Sequence, residues 1–472
     1  MASIHKHSDP SAVAGLLAAG LQVLRPGDEQ YVIRQDSYWS STARLSPVCI
    51  VRPRSAEEVS TTIKILVAAG QKFAIRSGGH TQFAGGNNID GGVTIDLGLL
   101  DWTRFDKTSE TVDIGPGGRW QQVYGELHKH GRVVSGGRDG HVGVGGILLG
   151  GGKTFFTAQR GFGCDDIVAY EVVLGDGRIV TADAIDNEDL FRCLKGGGNN
   201  FGIVTNFRMN ALQTDSIWGG LNVFPKSVTQ EAVEALVDFT DHPEFKDTVI
   251  VAAYVQIAGV ERESAYNQFL RLPAAVDTTK MTTIKDVVDE YDIAPLNHQL
   301  WNNPSGIFFT ATVKNDHRIV MKASELHDQV TEQLKDFIPD GDFITQCLVQ
   351  PLPVLYGQRS EKAGGNIMGV EKQSINGLLF VAVVMVKTSE QESFAYPKVK
   401  AWIDSLKEFA ATIENGNLPW IYLNYADKSQ EVLASYGGEN VRRMKDVAAK
   451  YDPLQVFQKL CPGGFKVCNI RH

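Results

Sequence analysis

The sequence predicts an α+β protein built from two domains, and three observations support this. The chain has 472 residues, too many for one hydrophobic core, while 43% hydrophobic and 21% charged residues are typical of a globular protein. More than half of its 48 glycines lie between residues 76 and 205, among short strand and helix patterns. After Trp218 glycines become sparse, and longer strand patterns alternate with helical ones.

The first half of the chain alternates short helices and strands. Ser55 begins a capping box, and the apolar periodic run that follows it ends at Gly70. The further predicted elements are the strands Lys72–Ile75 and Val93–Leu97, the helix Trp120–His130, and the hairpin Val168–Val180 with an Asp176-Gly177 turn. This alternation predicts one α+β domain over residues 1–210.

The second half favours an antiparallel sheet backed by helices. Strand patterns cover Thr248–Ile257, Ile307–Val313 and Leu378–Val386, and helical patterns cover about 227–241, 317–337 and 395–414. These segments predict a second domain over residues 211–420. A last helix over about 438–450 ends before Pro453, within a tail over 421–472.

The charge and composition exclude several classes of partner. A net charge of −9 without a lysine or arginine run argues against nucleic acid and anionic membrane surfaces. No apolar run reaches the ~18 residues that a membrane span needs. The first residues lack the basic start and long apolar segment of a secretion signal, which favours an intracellular protein. The six cysteines show no metal-site or disulfide spacing and are expected to be buried thiols.

Glycine turns are the most informative local feature. In Arg76-Ser77-Gly78-Gly79-His80, consecutive peptide N–H groups can form a concave anion site, and the missing Cβ atoms let a ligand approach the main chain. Segments 140–152 and 196–202 have the same character, and none of the three fits the Rossmann fingerprint. Together they predict a long anionic ligand lying against the backbone, whereas the first turn alone fits equally a tight loop with a solvated histidine.

The ordered set of motifs resembles a known family. R-S-G-G-H from Arg76, V-G-V-G-G-x3-G-G-G from Val142, V-V-L-x-D-G from Val172 and G-G-G-x-N-F-G-I-V from Gly196 are similar to the flavin domain of the vanillyl-alcohol-oxidase superfamily. Within it, the berberine-bridge-enzyme-like oxidases also match the tail motifs Y-x-N-Y-x-D from Tyr422 and Y-D-P-x2-x-F from Tyr451. The resemblance covers about 36–210 and 420–466 and implies the two-domain FAD-binding fold of that superfamily, with the tail returning to the FAD-binding (PCMH-type) domain.

The resemblance implies FAD bound covalently through its 8α-methyl carbon to His80. Ser77, Gly78, Gly79, Thr81 and Gln82 are expected to cradle the pyrophosphate. The residues expected to contact the cofactor are Arg76, Ser77, Gly78, Gly79, His80, Thr81, Gln82, Asp139, Gly140, Val142, Gly145, Gly146, Gly152, Val204, Tyr422 and Asn424.

Asp139 departs from the family pattern. Bicovalent members carry a cysteine at this position, whose thiolate bonds flavin C6, and a carboxylate cannot form that thioether. The resemblance therefore implies a single covalent bond, at His80. The nearby His141 is either catalytic or simply packed within the turn.

Val142 and Tyr425 carry the implied chemistry. A valine at position 142 of the family pattern leaves room for O2 above the flavin, so the resemblance implies an oxidase that makes H2O2. Tyr425 is implied as the base, which requires a cation to stabilise its anion; packing between domains is the alternative. On a regular strand Tyr422 and Asn424 would face away from Tyr425, and the sequence leaves this conflict open.

The resemblance implies hydride transfer from a small molecule to flavin N5 with reoxidation by O2. A secondary-metabolite substrate, oxidised or oxidatively cyclised, is favoured. A carbohydrate oxidase and a flavoprotein catalysing a non-redox cyclisation are the alternatives. Polar or aromatic residues of the second domain are candidates for the substrate pocket, although core packing is expected for most: Tyr254, Gln256, His298, Trp301, Phe308, Thr310, Gln346, Gln350 and Tyr356.

Overall fold

The computed structural model describes residues 10–213, 216–241, 248–249, 253–293 and 304–470. Its α-helices are α1 Pro10–Ala18, α2 Glu29–Asp36, α3 Ala56–Ala68, α4 Trp120–His128, α5 Val144–Leu149, α6 Thr157–Arg160, α7 Glu188–Leu194, α8 Thr229–Asp241, α9 Asn267–Leu270, α10 Ile284–Ile293, α11 His317–Phe337, α12 Val354–Lys362, α13 Ser389–Ala411, α14 Gly438–Tyr451 and α15 Val456–Lys459.

The three longest strands, of ten residues each, lie in the second half of the chain. The strands are β1 Val23–Leu24, β2 Cys49–Val51, β3 Phe73–Arg76, β4 Val93–Asp96, β5 Thr103–Asp106, β6 Thr111–Ile114, β7 Arg132–Val133, β8 Ile167–Val173, β9 Ile179–Asp183, β10 Ile203–Asn210, β11 Leu212–Gln213, β12 Ile217–Val223, β13 Thr248–Val249, β14 Ala253–Gln256, β15 Val276–Asp277, β16 Lys280–Thr282, β17 Ser305–Lys314, β18 Phe343–Leu352, β19 Gly377–Val386 and β20 Asn417–Leu418. This mixture confirms the α+β class.

Two main sheets lie in the first half of the molecule, together with the short pair β7 and β11. One has the order β1-β2-β4-β3, with β4 parallel to both β2 and β3. The other is antiparallel, in the order β5-β6-β10-β8-β9. Helix α3 begins where the sequence predicts, because the Ser55 side chain accepts a hydrogen bond from the Glu58 N–H at 3.3 Å. The predicted Asp176-Gly177 hairpin is also confirmed, between β8 and β9.

The C-terminal tail packs into the core of the first sheet. Val456 and Phe457 of α15 belong to the same buried cluster as Val59, Ile63 and Phe73. The Phe73 and Phe457 rings meet edge to face with centroids 6.3 Å apart. Both carboxylate oxygens of Asp452 accept N–H bonds at 2.8 Å from Val456 and Phe457, which starts α15 beyond the Tyr451-Asp452-Pro453 motif.

The second half contains an antiparallel sheet in the order β18-β19-β17-β20. All ten residues of β19 are buried. Leu378, Phe380, Ala382, Val384 and Val386 pack in the cluster that includes α11 and α13. The alternate residues, Val381, Val383 and Met385, face Trp39, Phe308 and Tyr425. Because apolar side chains cover both faces of β19, its sequence is continuously apolar and does not alternate between apolar and polar residues.

Two predicted elements of the second half differ from the structure. The segment Thr248–Ile257 is a pair of antiparallel strands, β13 and β14, and residues 250–252 lie outside those described. Helix α13 begins earlier than predicted, because Thr388 and Gln391 form a capping box ahead of Pro397. Among the described residues, no helix is both long and apolar enough to span a membrane.

Candidate functional site

A cavity of about 500 Å³ lies between the glycine turns and the strands β17 and β18. The site residues expected from the sequence line it, apart from Arg76, Gly140 and Gly152. Those that do are Ser77, Gly78, Gly79, His80, Thr81, Gln82, Asp139, Val142, Gly145, Gly146, Val204, Tyr422, Asn424 and Tyr425. Residues distant in the sequence thus surround one space.

The two main glycine turns touch each other through bare backbone. A Cβ atom on Gly78 would lie 2.5 Å from the Cα of Gly143, and one on Gly143 would lie 2.4 Å from the Cα of Gly78. The Ser77 hydroxyl ties the turns further, since it donates to the Pro116 carbonyl at 2.5 Å and accepts from the Gly145 N–H at 3.2 Å. Glycine at 78 and 143 is therefore required by the protein itself.

Gly146 is different, because nothing in the protein requires a glycine there. It lies in helix α5, outside the left-handed region of backbone conformation, and a Cβ built on it would meet no described atom within 4 Å. That empty space is the cavity, which Gly146 lines. A missing side chain here leaves room for a ligand lying against the helix backbone.

Asn424 joins the tail segment to helix α5 at the cavity wall. Its side-chain Nδ2 donates to the Gly146 carbonyl at 3.0 Å, and Gly150 must be glycine to admit it, because a Cβ there would lie 2.6 Å from Nδ2. Its Oδ1 is buried and has no hydrogen-bond partner among the described residues. The side chain therefore positions the tail segment against α5 beside the cavity.

Arg76, Gly140 and Gly152 support the backbone instead of lining the cavity. The fully buried Arg76 side chain points away, donates to the Arg34 carbonyl at 2.6 Å and the Ser37 hydroxyl at 2.8 Å, and stacks on Tyr38. The Gly140 carbonyl accepts from the Gln121 N–H at 2.9 Å. The Gly152 carbonyl accepts from the Gly163 N–H at 2.6 Å, with φ at +81°.

Positive charge accumulates beneath the first glycine turn. Arg34 pairs with Asp96 at 2.6 Å, and Arg76 lies 3.9 Å from the same carboxylate. Arg119 lies 3.1 Å from a Cβ built on Gly78, and its guanidinium donates to the His141 carbonyl. Burial, together with Arg76 and Arg34, lowers the pKa of Arg119 to about 10, so it is protonated at neutral pH. These three guanidinium groups favour an anionic ligand above them, while Asp96 and Asp139 offset part of their charge.

The segment around Asp139 forms a turn. Its Oδ1 accepts the His141 N–H at 2.9 Å, so the carboxylate is engaged with the backbone. His141 itself does not line the cavity, whereas the His80 imidazole does. All six cysteines lie within the described residues; Cys468 is exposed rather than buried, and none of the six lines the cavity.

Tyr422 and Tyr425 lie on one side of the chain because the segment is helical. Leu423–Tyr425 form a 3₁₀ turn, in which the Tyr425 N–H donates to the Tyr422 carbonyl at 3.1 Å. Residues three apart eclipse each other in such a turn. The two rings therefore meet edge to face with centroids 4.9 Å apart. The conflict that a regular strand would have created does not arise.

Arg138 and Gln350 hold the Tyr425 hydroxyl. Arg138 Nη2 donates to the Tyr425 oxygen at 2.9 Å and to Gln350 Oε1 at 2.9 Å. Gln350 Nε2 lies 3.3 Å from the same phenol oxygen as a second donor. Arg138 is therefore the cation that a basic Tyr425 requires. In the sequence, its position directly before Asp139 in the glycine-rich segment is the feature that indicates a guanidinium near the cavity.

Tyr422 has a different environment from Tyr425. Its side chain is 1% exposed and its phenol oxygen accepts the Lys153 N–H at 2.6 Å. Burial, and then the negative charge that Tyr425 can carry, raise the pKa of Tyr422 well above 10. Tyr422 is therefore a neutral phenol that braces the Lys153 backbone.

The second-domain candidates divide into those that line the cavity and those that do not. Phe308, Gln346 and Gln350 line it. Thr310 donates to the Phe380 carbonyl at 2.7 Å, Gln256 donates to Glu263 at 2.7 Å, and Tyr356 packs against Phe162 in the core. His298, Trp301 and the Tyr254 side chain lie outside the described residues.

Comparison with known proteins identifies the family. Residues 47–183 match the FAD binding domain model. The chain is 37% identical to the FAD-dependent monooxygenase drtC of Aspergillus calidoustus, over 96% of this chain and 89% of that protein. It is 33% identical to the FAD-dependent monooxygenase sdcF of Emericella nidulans, over 95% of this chain and 96% of that protein.

The chain belongs to the berberine-bridge-enzyme-like FAD-linked oxidoreductases. A solved structure of glucooligosaccharide oxidase from Acremonium strictum, described as holding a 6-S-cysteinyl, 8α-N1-histidyl FAD, has the same fold. The TM-score is 0.72 at 19% identity, over 94% of this chain and 97% of that one. The family membership explains the glycine cradle, and the cradle in turn fits FAD, since Gly146 leaves room for a ligand and the nearby arginines favour a diphosphate.

Proposed function

We propose that this protein is an FAD-dependent oxidase that removes hydride from a small, secondary-metabolite substrate and forms H2O2. FAD held by the glycine turns would supply a hydride acceptor that O2 can reoxidise. The observation that carries the proposal is the Arg138–Tyr425–Gln350 network, which places a hydrogen-bonded phenol on the cavity wall.

Tyr425 is the base in this proposal. The phenol first releases its hydroxyl proton to solvent, and the negatively charged phenolate oxygen then takes up a proton from the substrate. The Arg138 guanidinium and the Gln350 amide donate to that oxygen and stabilise the charge. Tyr422 cannot substitute, because it is buried against the Lys153 N–H and its pKa is raised well above 10.

His80 is proposed as the only covalent attachment point. Its imidazole lines the cavity, and no cysteine does so although all six are described. Asp139, which stands at the position of the second attachment in bicovalent members, uses its carboxylate to accept the His141 N–H. Val142 also lines the cavity and is proposed to leave O2 access to the cofactor.

The lining of the second-domain side favours a substrate rich in carbonyl or phenol oxygens. Gln346 and Gln350 alternate with Leu348 along β18, so all three side chains face the cavity beside Phe308. Arg138 and the two glutamines offer N–H donors to substrate oxygens, and Asp139 is the one carboxylate among the described residues that line the cavity. These donors favour an oxygenated aromatic or polyketide-like substrate, with an oligosaccharide as the alternative.

The relatives drtC and sdcF are named monooxygenases. A monooxygenase transfers an oxygen atom to its substrate, which is the alternative to forming H2O2. Anaerobic mixing with candidate substrates followed by admission of ¹⁸O2 separates the alternatives. The proposal expects flavin bleaching without O2, then one H2O2 per product and no ¹⁸O in the product. Label in the product contradicts the oxidase, and product formed without bleaching indicates a non-redox cyclase.

A further inference from the structure

Trp39 lies against the imidazole of His80. The two rings are stacked, with centroids 4.9 Å apart and planes inclined by 19°. Trp39 follows helix α2 and is far from the glycine turns in the sequence, and no motif of the chain includes it. The contact fixes the plane of the imidazole, because a stacked ring cannot rotate without losing its partner.

Trp39 is itself held by both halves of the molecule. Its backbone N–H donates to the Gly79 carbonyl at 3.0 Å, directly beside His80. Its indole meets Phe308 of β17 edge to face, with centroids 5.5 Å apart. Gly306 of β17 is glycine for this reason, since a Cβ there would lie 2.4 Å from Trp39 ring atoms.

The segment that carries Trp39 is anchored on each side. Arg76 holds the end of helix α2 through the Arg34 carbonyl at 2.6 Å and the Ser37 hydroxyl at 2.8 Å. After Trp39, the Ser41 N–H donates to the Pro304 carbonyl at 3.1 Å, and the Ser41 and Ser305 hydroxyls lie 2.9 Å apart. The indole therefore has a fixed position between the turn and the sheet.

We propose that Trp39 is a positioning residue for covalent attachment of the flavin to His80. The inference rests on the proposed function, and specifically on the His80 bond. Attachment replaces an imidazole N–H and an 8α C–H with one N–C bond. The two protons and two electrons released pass through the isoalloxazine to O2, which becomes H2O2. Holding the imidazole plane raises the rate of bond formation because the nitrogen stays aimed at one carbon.

The test compares covalent with total flavin in four purified variants incubated with excess FAD in air. Trp39→Leu removes the stacking ring, Trp39→Tyr restores an aromatic ring, and Gly306→Ala displaces the indole while leaving Trp39 in the sequence. Trp102→Leu is the matched control, because Trp102 bonds Asn206 at 3.0 Å and does not line the cavity. Acid precipitation at timed intervals measures the flavin that stays with the polypeptide.

We expect Trp39→Leu and Gly306→Ala to form the bond about tenfold more slowly than wild type, with total FAD bound within about twofold. Trp39→Tyr and Trp102→Leu should form it at close to the wild-type rate. Unchanged rates in both Trp39→Leu and Gly306→Ala overturn the role of Trp39 while leaving the His80 bond intact. Complete release of flavin by wild type overturns the bond itself, and the role of Trp39 with it.

Discussion

Two tyrosines separated by one helical turn have opposite surroundings. Both tyrosines line the cavity, but Tyr422 is almost fully buried and its oxygen receives a backbone N–H, so burial keeps it neutral. The Tyr425 oxygen receives a guanidinium and an amide. The sequence motif Y-x-N-Y-x-D places both residues, but the difference between them comes from Arg138 and Gln350. Arg138 and Tyr425 are 287 positions apart, so no local pattern connects them.

Replacing Tyr425 with phenylalanine removes the proposed base while keeping the ring. We expect Tyr425→Phe to slow anaerobic flavin reduction by about 10²-fold or more, the usual contribution of a general base. Stopped-flow absorbance at saturating substrate measures this step. Tyr451→Phe is the control, since its hydroxyl bonds Asp189 at 2.7 Å outside the cavity lining. A decrease under severalfold would remove Tyr425 from the role of base.

Replacing Arg138 tests the cation. Arg138→Gln keeps a hydrogen-bond donor but removes the charge, so the negative charge on the Tyr425 oxygen loses stabilisation. We expect the rate of anaerobic flavin reduction to fall roughly tenfold. Arg208→Gln, at a half-exposed pair with Asp113, should leave that rate unchanged. A wild-type rate in Arg138→Gln contradicts the assignment.

At the scale of elements, the helix capped by Ser55 and the hairpin with a glycine turn were predictable from the sequence, whereas the 3₁₀ turn at the cavity was not. Ser55 and the Asp176-Gly177 turn specify α3 and the β8–β9 hairpin through local hydrogen bonds and backbone conformation. The 3₁₀ turn Leu423–Tyr425 has no comparable local signal, because packing of Tyr422 in the core and the Asn424 bond to Gly146 determine it. The apolar run of β19 likewise reflects two covered faces.

Gly146 and Gly78 give a paired prediction, because Gly146 faces open space and Gly78 packs against backbone. Gly146→Ala adds a methyl group that meets only the cavity, so the apoprotein should fold and gain up to about 1 kcal/mol in unfolding free energy, since alanine favours a helix. Its FAD affinity should fall at least tenfold. Gly78→Ala forces a clash with the Gly143 backbone and should lower both stability and affinity.

Thermal unfolding of the apoproteins and FAD titration by fluorescence measure the two effects separately, both in the His80→Ala background, where FAD binds reversibly. Unchanged affinity on adding Gly146→Ala would show that the space above α5 is not the cofactor site. Loss of stability in Gly146→Ala as large as that in Gly78→Ala would show that the two glycines have the same structural requirement.

At the scale of the whole molecule, the cavity lies where the two halves meet. Its walls are the glycine turns on one side, β17 and β18 on the other, and the tail segment around Tyr425 between them. Gln82 shows the connection, since its side chain donates to the Ala426 carbonyl at 2.8 Å. The fold class was predictable from motif order, and 14 of the 17 expected site residues line the cavity, but the juxtaposition of Trp39, Phe308 and His80 requires the folded chain.

A ligand held by both halves should stabilise them together. In His80→Ala, FAD can bind only reversibly, so its stabilisation depends on concentration. We expect the thermal midpoint to rise with added FAD, corresponding to about 2.7 kcal/mol at a hundredfold excess over Kd. Differential scanning calorimetry at several FAD concentrations measures this. A midpoint independent of FAD would contradict cofactor binding in the cavity.

Peptide mapping of the wild-type enzyme tests the central claim most directly. The denatured protein is digested, and peptides that absorb visible light are identified by mass spectrometry. The account predicts one flavin-bearing peptide, modified at His80 and containing no cysteinyl-flavin bond. Flavin on a cysteine, flavin on another histidine, or a polypeptide that retains no flavin would contradict it.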